Sequence, residues 1–294
     1  MKLFKSLKQE TKGSFLILVV AIFWGMFPVL VNKGSQLIQP IFFAGVSTLC
    51  GGIVSLVISF FQRGLKDILN RKALLYACYV AFFISILHYS IMFVGAKMTT
   101  GINTSALLLF EIIFTLLITP FFGEKPTLYK TIGGLFVLAG AFIILFKGGE
   151  FHLGDLLIIL STISLPFGNH FGKKALQYIS PANLLTLRYL LSGVVLLMFS
   201  FIFEDTSKML PSIQNHWIYV VLNGFFLFGL INNIWYYGLK KLEISRAIPL
   251  LMTYPAFSLV FLAIFYSDIP NIFQISGVFI IIVGAFITSK KATA

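Results

Sequence analysis

A glutamate stands in the middle of an apolar run. Glu111 lies eight residues after Asn103 and ten before Phe121, within LLLFEIIFTLLITPF. A charge at the centre of a bilayer costs about 2.5–3.5 kcal/mol on insertion scales. A carboxyl group there is protonated, paired or turned toward water. At helical spacing it shares a face with Thr104, Thr115 and Thr119, which suits a cavity wall or a helix–helix seam. As a working group it would bind an ammonium or carry a proton. As a structural one it would tie two helices together as the neutral acid. Other polar groups sit in similar surroundings. Ser85, His88, Tyr89 and Met92 project to one helical face, with His88 a proton relay, a ligand contact or a link between helices. Gly229, Asn232, Asn233 and Tyr236 project to another, and two adjacent amides bring both donors and acceptors. Trp24 precedes Pro28, and Asn169 and His170 follow Pro166 and Gly168. Tyr254 lies between Pro249 and Pro255, where kinks free backbone carbonyls. Arg188 interrupts a further run. Its place six residues from one end favours snorkelling to the interface over burial.

These residues must be held by apolar helices. Of 294 residues 58% are hydrophobic and 11% charged, with mean hydropathy +0.95. A soluble domain carries about 25% charged residues. A soluble enzyme, a disordered chain and a secreted disulfide scaffold are excluded. The two cysteines, Cys50 and Cys78, fall inside apolar runs and define no disulfide framework. Ten runs have spanning length: 15–31, 41–61, 73–95, 103–121, 128–146, 155–171, 183–203, 216–238, 247–266 and 273–289. Residues 15–31 are too long for a signal-peptide core and no A-x-A-like site follows, so they are expected to remain as the first span. With the N-terminus inside, the inner segments hold 17 Lys and Arg residues and the outer segments 4. This asymmetry predicts both termini, 1–14 and 290–294, in the cytoplasm. It also reads the net charge of +12 as membrane orientation rather than nucleic-acid binding.

No G-x-x-x-x-G-K-[ST] is present, and His88, His152, His170 and His216 are too scattered for an H-E-x-x-H zinc site. No cofactor, metal site or catalytic residue is expected.

The chain repeats itself. Residues 124–145, EKPTLYKTIGGLFVLAGAFIIL, align with 268–289, DIPNIFQISGVFIIIVGAFITS, at an offset of 144. Pro126 matches Pro270, Gly133 matches Gly277, and Gly140 to Ile143 matches Gly284 to Ile287, with Glu124 opposite Asp268. Upstream, Gly95-Ala96-Lys97 matches Gly238-Leu239-Lys240, and Pro40 matches Pro181. The expected fold is an all-α integral membrane protein of ten transmembrane helices, built as two five-helix repeats, 15–146 and 155–289. Five is odd, so the second copy enters from the opposite side. Inverted-topology repeats are the design of many secondary transporters, whose sites lie at midplane where helices are interrupted in both halves.

The repeated unit, ending in acidic-x-Pro, Gly and G-A-F-I, resembles the EamA module of the drug/metabolite transporter superfamily. Phe23-Trp24-Gly25, Leu187-Arg188-Tyr189, and Ala106 to Leu108 through Phe122-Gly123-Glu124 are similar to its other motifs. There are departures: Ser47 stands where the family arginine would sit in the first half, and Glu111 aligns with Pro255. The resemblance implies a ten-helix inner-membrane carrier, often an exporter of amino acids or other small metabolites. The expected substrate contacts are Glu111, Asn232, Asn233, His88, Tyr254, Trp24, Tyr89 and Asn169, with Glu111 and His88 as proton-coupling candidates. The expected partners are a small-molecule substrate, the lipid bilayer and protons, with the chain a monomer or homodimer. The alternatives are a membrane-embedded enzyme or lipid-handling protein, a channel, or a carrier for nucleosides, sugars or organic anions.

Overall fold

The computed structural model describes residues 2–62, 64–123, 127–148, 151–242, 244–251, 253–267 and 269–288. Among these residues every regular element is a helix. Glu124, Pro126 and Asp268, which anchor the acidic-x-Pro part of the repeat, and the tail 290–294 lie outside the described residues.

The first half contains α1 (Lys2–Trp24), α2 (Met26–Leu37), α3 (Pro40–Gln62), α4 (Arg71–Val80), α5 (Tyr89–Lys97), α6 (Gly101–Leu107), α7 (Phe110–Ile118) and α8 (Leu128–Gly148). The second contains α9 (Leu153–Thr162), α10 (Leu165–Ala175), α11 (Pro181–Phe203), α12 (Thr206–Val220), α13 (Asn232–Leu239), α14 (Ile244–Leu251), α15 (Tyr254–Tyr266) and α16 (Ile272–Thr288). Each apolar run marked in the sequence is helical, with two notable shifts. The run at 15–31 continues a helix that begins at Lys2, within the segment 1–14 expected as a tail. The run at 216–238 belongs to a helix that begins earlier, at Thr206, because the Asp205 side chain caps it by accepting from the Ser207 amide at 3.0 Å. The backbone leaves helical geometry at His216 (φ −130°, ψ 28°).

Among the described residues six stretches are long and apolar enough to cross a membrane: Glu10–Leu37, Pro40–Gln62, Arg71–Lys97, Gly101–Phe122, Pro181–Phe203 and Thr206–Leu239. Thr131–Ile144, Tyr254–Tyr266 and Ile272–Gly284 are shorter apolar helices. The outer surface is greasy. Phe61 and Phe121 are more than four-fifths exposed, as suits side chains that face lipid. The interior carries polar groups: Ser85, Thr104, Asp155, Asn183 and Arg188 are all buried.

The interruptions follow a pattern. α1 breaks from α2 at Gly25, and α9 from α10 at Ile163-Ser164. α6 ends at Leu107 and α7 begins at Phe110. α14 ends at Leu251 and α15 begins at Tyr254, both displaced by 144 residues from the first pair. Between α4 and α5 the chain widens to i→i+5 hydrogen bonding over Ala81–His88, and between α12 and α13 it does so over Val221–Ile231.

Two pairs of unbroken helices form the most extensive contacts, α3 with α11 and α8 with α16. The second pair depends on glycine. A Cβ on Gly140 would lie 2.5 Å from the Gly277 carbonyl oxygen, and one on Gly277 would lie 2.7 Å from that of Gly140. Gly25 serves the broken helices in the same way. A Cβ there would meet Phe257 Cβ at 2.6 Å, and the Ser258 hydroxyl donates to the Gly25 carbonyl at 2.8 Å.

Candidate functional site

The irregular segments meet around one cavity of about 580 Å3, counting its open mouth. Trp24, the last residue of α1, lines it. So do Glu111 in the first turn of α7, Leu165 at the start of α10 and Tyr254 at the start of α15. His88 ends one widened segment and Asn232 follows the other, and both line it too. At Gly25, Leu108-Leu109 and Ile163-Ser164 the backbone stays right-handed and its amides remain bonded, the last two junctions through i→i−3 bonds, so these helices tighten by a turn, which shifts the side chains that follow.

Glu111 is buried and accepts a hydrogen bond from Asn169 Nδ2 at Oε1, 2.7 Å away. Its amide donates to the Leu108 carbonyl at 3.1 Å, in the tightened turn that joins α6 to α7. The Tyr254 hydroxyl donates to the Ser105 carbonyl at 3.3 Å, tying α15 to α6. His88 Nδ1 lies 3.2 Å from the Ser161 carbonyl. A carbonyl only accepts, so Nδ1 carries the proton and Nε2 is left for the cavity. Trp24 stacks on Phe27 with ring centroids 4.7 Å apart.

Arg188 overturns the snorkelling expectation. It is 2% exposed and lines the cavity. Nε donates to Ser85 Oγ at 2.8 Å, Nη1 to the Tyr236 hydroxyl at 3.2 Å and Nη2 to the Tyr89 hydroxyl at 2.9 Å. The guanidinium also lies over the Tyr189 ring, 4.7 Å from its centroid. Three hydroxyls and an aromatic face supply polar partners to the buried guanidinium without a counter-charge. Tyr89 therefore touches both the cavity and the cation.

Asn232 and Asn233 part company. Asn232 donates to the Tyr189 hydroxyl and faces the cavity. Asn233 instead donates to Ser55 Oγ at 3.0 Å and to the Gly229 carbonyl at 2.6 Å, toward α3 and away from the cavity. Gly229 packs against Val54 on that same side. The single face expected for Gly229, Asn232, Asn233 and Tyr236 is thus two. Seven of the eight expected contacts, all but Asn233, surround the cavity. Trp235 and Phe27 also line it and were not singled out from the sequence. Trp235 lies three residues after Asn232, a spacing that would have found it. His170 stacks on Phe122, with centroids 3.9 Å apart, rather than lining the cavity. Among the described residues no group of three or more His, Cys, Asp or Glu side chains could hold a metal ion.

The profile of the EamA-like transporter family matches this chain twice, over residues 11–146 and 152–290. The chain belongs to the EamA-like transporter family. It is a multi-pass membrane transporter, whose partners are the bilayer and a small-molecule substrate. Among curated proteins the EamA-like chain is 26% identical over 282 residues to the uncharacterized transporter YoaV of Bacillus subtilis (strain 168). The match covers 93% of this chain and 95% of YoaV. It is 23% identical over 284 residues to an uncharacterized transporter of Archaeoglobus fulgidus, covering 95% and 99%. A solved crystal structure shares the EamA-like chain's fold with a TM-score of 0.73 at 15% identity, covering 95% of this chain and 96% of the other.

Proposed function

We propose that the protein is a secondary carrier that moves an amino acid or related amine across the cytoplasmic membrane by alternating access, with export as its direction. One observation carries this reading: residues beside the α1/α2, α6/α7, α9/α10 and α14/α15 junctions line one cavity, whose largely apolar wall also carries Glu111 and Arg188. Discontinuous helices meeting near midplane are the transporter way of presenting half-helix ends to a solute.

The proposed architecture is ten spans in two inverted five-helix repeats, 15–146 and 155–289. Three features support it. The junction between α6 and α7 recurs between α14 and α15 at the 144-residue offset of the sequence repeat, and that between α1 and α2 recurs between α9 and α10 at an offset of 138–139. The widened segments recur in the corresponding helices of the two halves. The closest pairs, α3 with α11 and α8 with α16, join corresponding helices. The 17-to-4 charge asymmetry supports cytoplasmic termini. Glu111 is the ammonium partner or proton carrier, Asn169 holds it, and His88, Tyr89, Tyr254, Trp24 and Asn232 shape the pocket. No residue is assigned a catalytic role.

The test is counterflow in proteoliposomes with labelled amino acids and amines at two pH values. Saturable counterflow of one compound is the expected result. Its absence from folded, oriented protein would remove amino acids and amines as substrates. Conversion of a solute to product by purified protein would replace the carrier reading with an enzyme.

A further inference from the structure

The cavity wall holds two opposite charges that do not meet. Arg188 is satisfied by neutral hydroxyls, and Glu111 by one neutral amide. Neither forms an ion pair among the described residues. A buried charge without a counter-charge is expensive. The guanidinium has five N–H donors, and three are engaged, which leaves two of a planar fork suited to a carboxylate. Glu111 has one oxygen engaged and the other open to a donor.

We propose that the substrate binds as a zwitterion, its carboxylate on Arg188 and its ammonium on Glu111. This rests on the carrier reading and narrows it, because an amine or a carboxylic acid alone would meet only one of the two groups. The placement has a mechanical consequence. Glu111 belongs to the first half of the chain and Arg188 to the second, and each is already bonded across the halves, Glu111 to Asn169 and Arg188 to Ser85 and Tyr89, so a molecule held by both would add to existing cross-half links. A ligand drives a conformational change only through contacts that differ between states. A bridge across the moving halves is such a contact, and a singly charged analogue lacks it. The apolar walls, Trp24 and Trp235 among them, are left for the substrate's side chain.

The experiment is counterflow by the purified protein in proteoliposomes with matched pools of solutes. One pool holds the proteinogenic amino acids, a second the amines left when each loses its carboxyl group, a third the carboxylic acids left when each loses its amine. Each pool is tested against its own labelled members. The zwitterion pool is expected to exceed both others by about tenfold to a hundredfold, the usual effect of a lost charge-assisted hydrogen bond. Amines moving within about twofold of the amino acids would overturn the proposal while leaving the carrier standing. Counterflow by no pool would overturn the proposal and would also remove amino acids, amines and simple carboxylic acids as substrates. Arg188→Gln sharpens the result: it should abolish the preference for zwitterions over amines, and Arg188→Lys should restore part of it. If Arg188→Gln does not fold, the wild-type comparison still decides.

Discussion

Ser47 and Arg188 each stand seven residues beyond the proline that opens their helix, and those helices, α3 and α11, pack against each other. Only one carries a charge. Ser47 is buried with its hydroxyl unpartnered, whereas Arg188 gathers hydroxyls from Ser85, Tyr89 and Tyr236. The same contrast recurs at the breaks. Glu111 and Pro255 both occupy the second position of a helix that restarts in mid-span. Proline suits that position because its missing N–H would have had no helical partner. Glutamate is held there by its amide's bond to the Leu108 carbonyl and by the hydrogen bond its carboxyl accepts from Asn169. The backbone frame is shared and the chemistry laid on it is not, so the two halves contribute one charge each to the cavity.

The sharpest way to break this comparison is to remove each member of a pair. Arg188→Gln should lower transport of zwitterions by about tenfold to a hundredfold. Ser47→Ala should leave transport at the wild-type level, and should hold or raise stability by up to about 1 kcal/mol, because it deletes a buried hydroxyl that has no partner. Counterflow and thermal unfolding in detergent measure the two effects. A transport loss in Ser47→Ala equal to that in Arg188→Gln would mean the halves are functionally alike after all.

The second pair is Glu111 and Pro255. Glu111→Gln keeps an oxygen to accept from Asn169 and should leave the protein folded, yet abolish transport or its dependence on pH. Pro255→Ala should change initial rates by no more than about threefold, because the helix start needs no proline if the rest of the turn holds. Wild-type rates for Glu111→Gln across the pH range would sink the role assigned to this carboxyl.

A smaller effect tests the shared frame itself. Gly140 and Gly277 meet on equivalent terms, each facing the other's carbonyl. Gly140→Ala and Gly277→Ala should each cost about 1–3 kcal/mol, the usual range for overpacking. Thermal unfolding that shifted for one and not the other would show that α8 and α16 do not bear on each other symmetrically.

The sequence disclosed the helices because an apolar run of spanning length has few other solutions. It disclosed most of the cavity because a polar residue inside such a run needs a reason to be there. Glu111 was found this way, Tyr254 through its flanking prolines and Asn169 through Pro166 and Gly168, although the tightened turn before Glu111 was not foreseen. Pro marks kinks in advance, whereas Leu108 and Leu109 carry no such signal. Arg188 was misplaced for a different reason. Whether an arginine snorkels or buries depends on partners brought from elsewhere in the chain. Ser85 is 103 residues away and Tyr236 is 48. Only the folded protein assembles that cradle.

The last and smallest comparison lies between neighbours. Asn232 and Asn233 are adjacent in the chain, and successive residues on a helix point about 100° apart. One therefore faces the cavity and the other faces α3, where Ser55 receives it. Asn232→Ala should raise KM several-fold with little change in Tm, because its cost falls on the cavity and on the orientation of Tyr189 beneath Arg188. Asn233→Ala should do the reverse. It removes the hydrogen bonds to Ser55 and Gly229, and it also removes a carbonyl oxygen that is buried without a partner, so the net loss of stability should stay near about 1 kcal/mol with KM unchanged. Measuring KM by counterflow and Tm in detergent for both variants separates the two roles. A rise in KM for Asn233→Ala would mean that the widened segment before it rotates α13 during transport, bringing the second amide into the cavity in the opposite state.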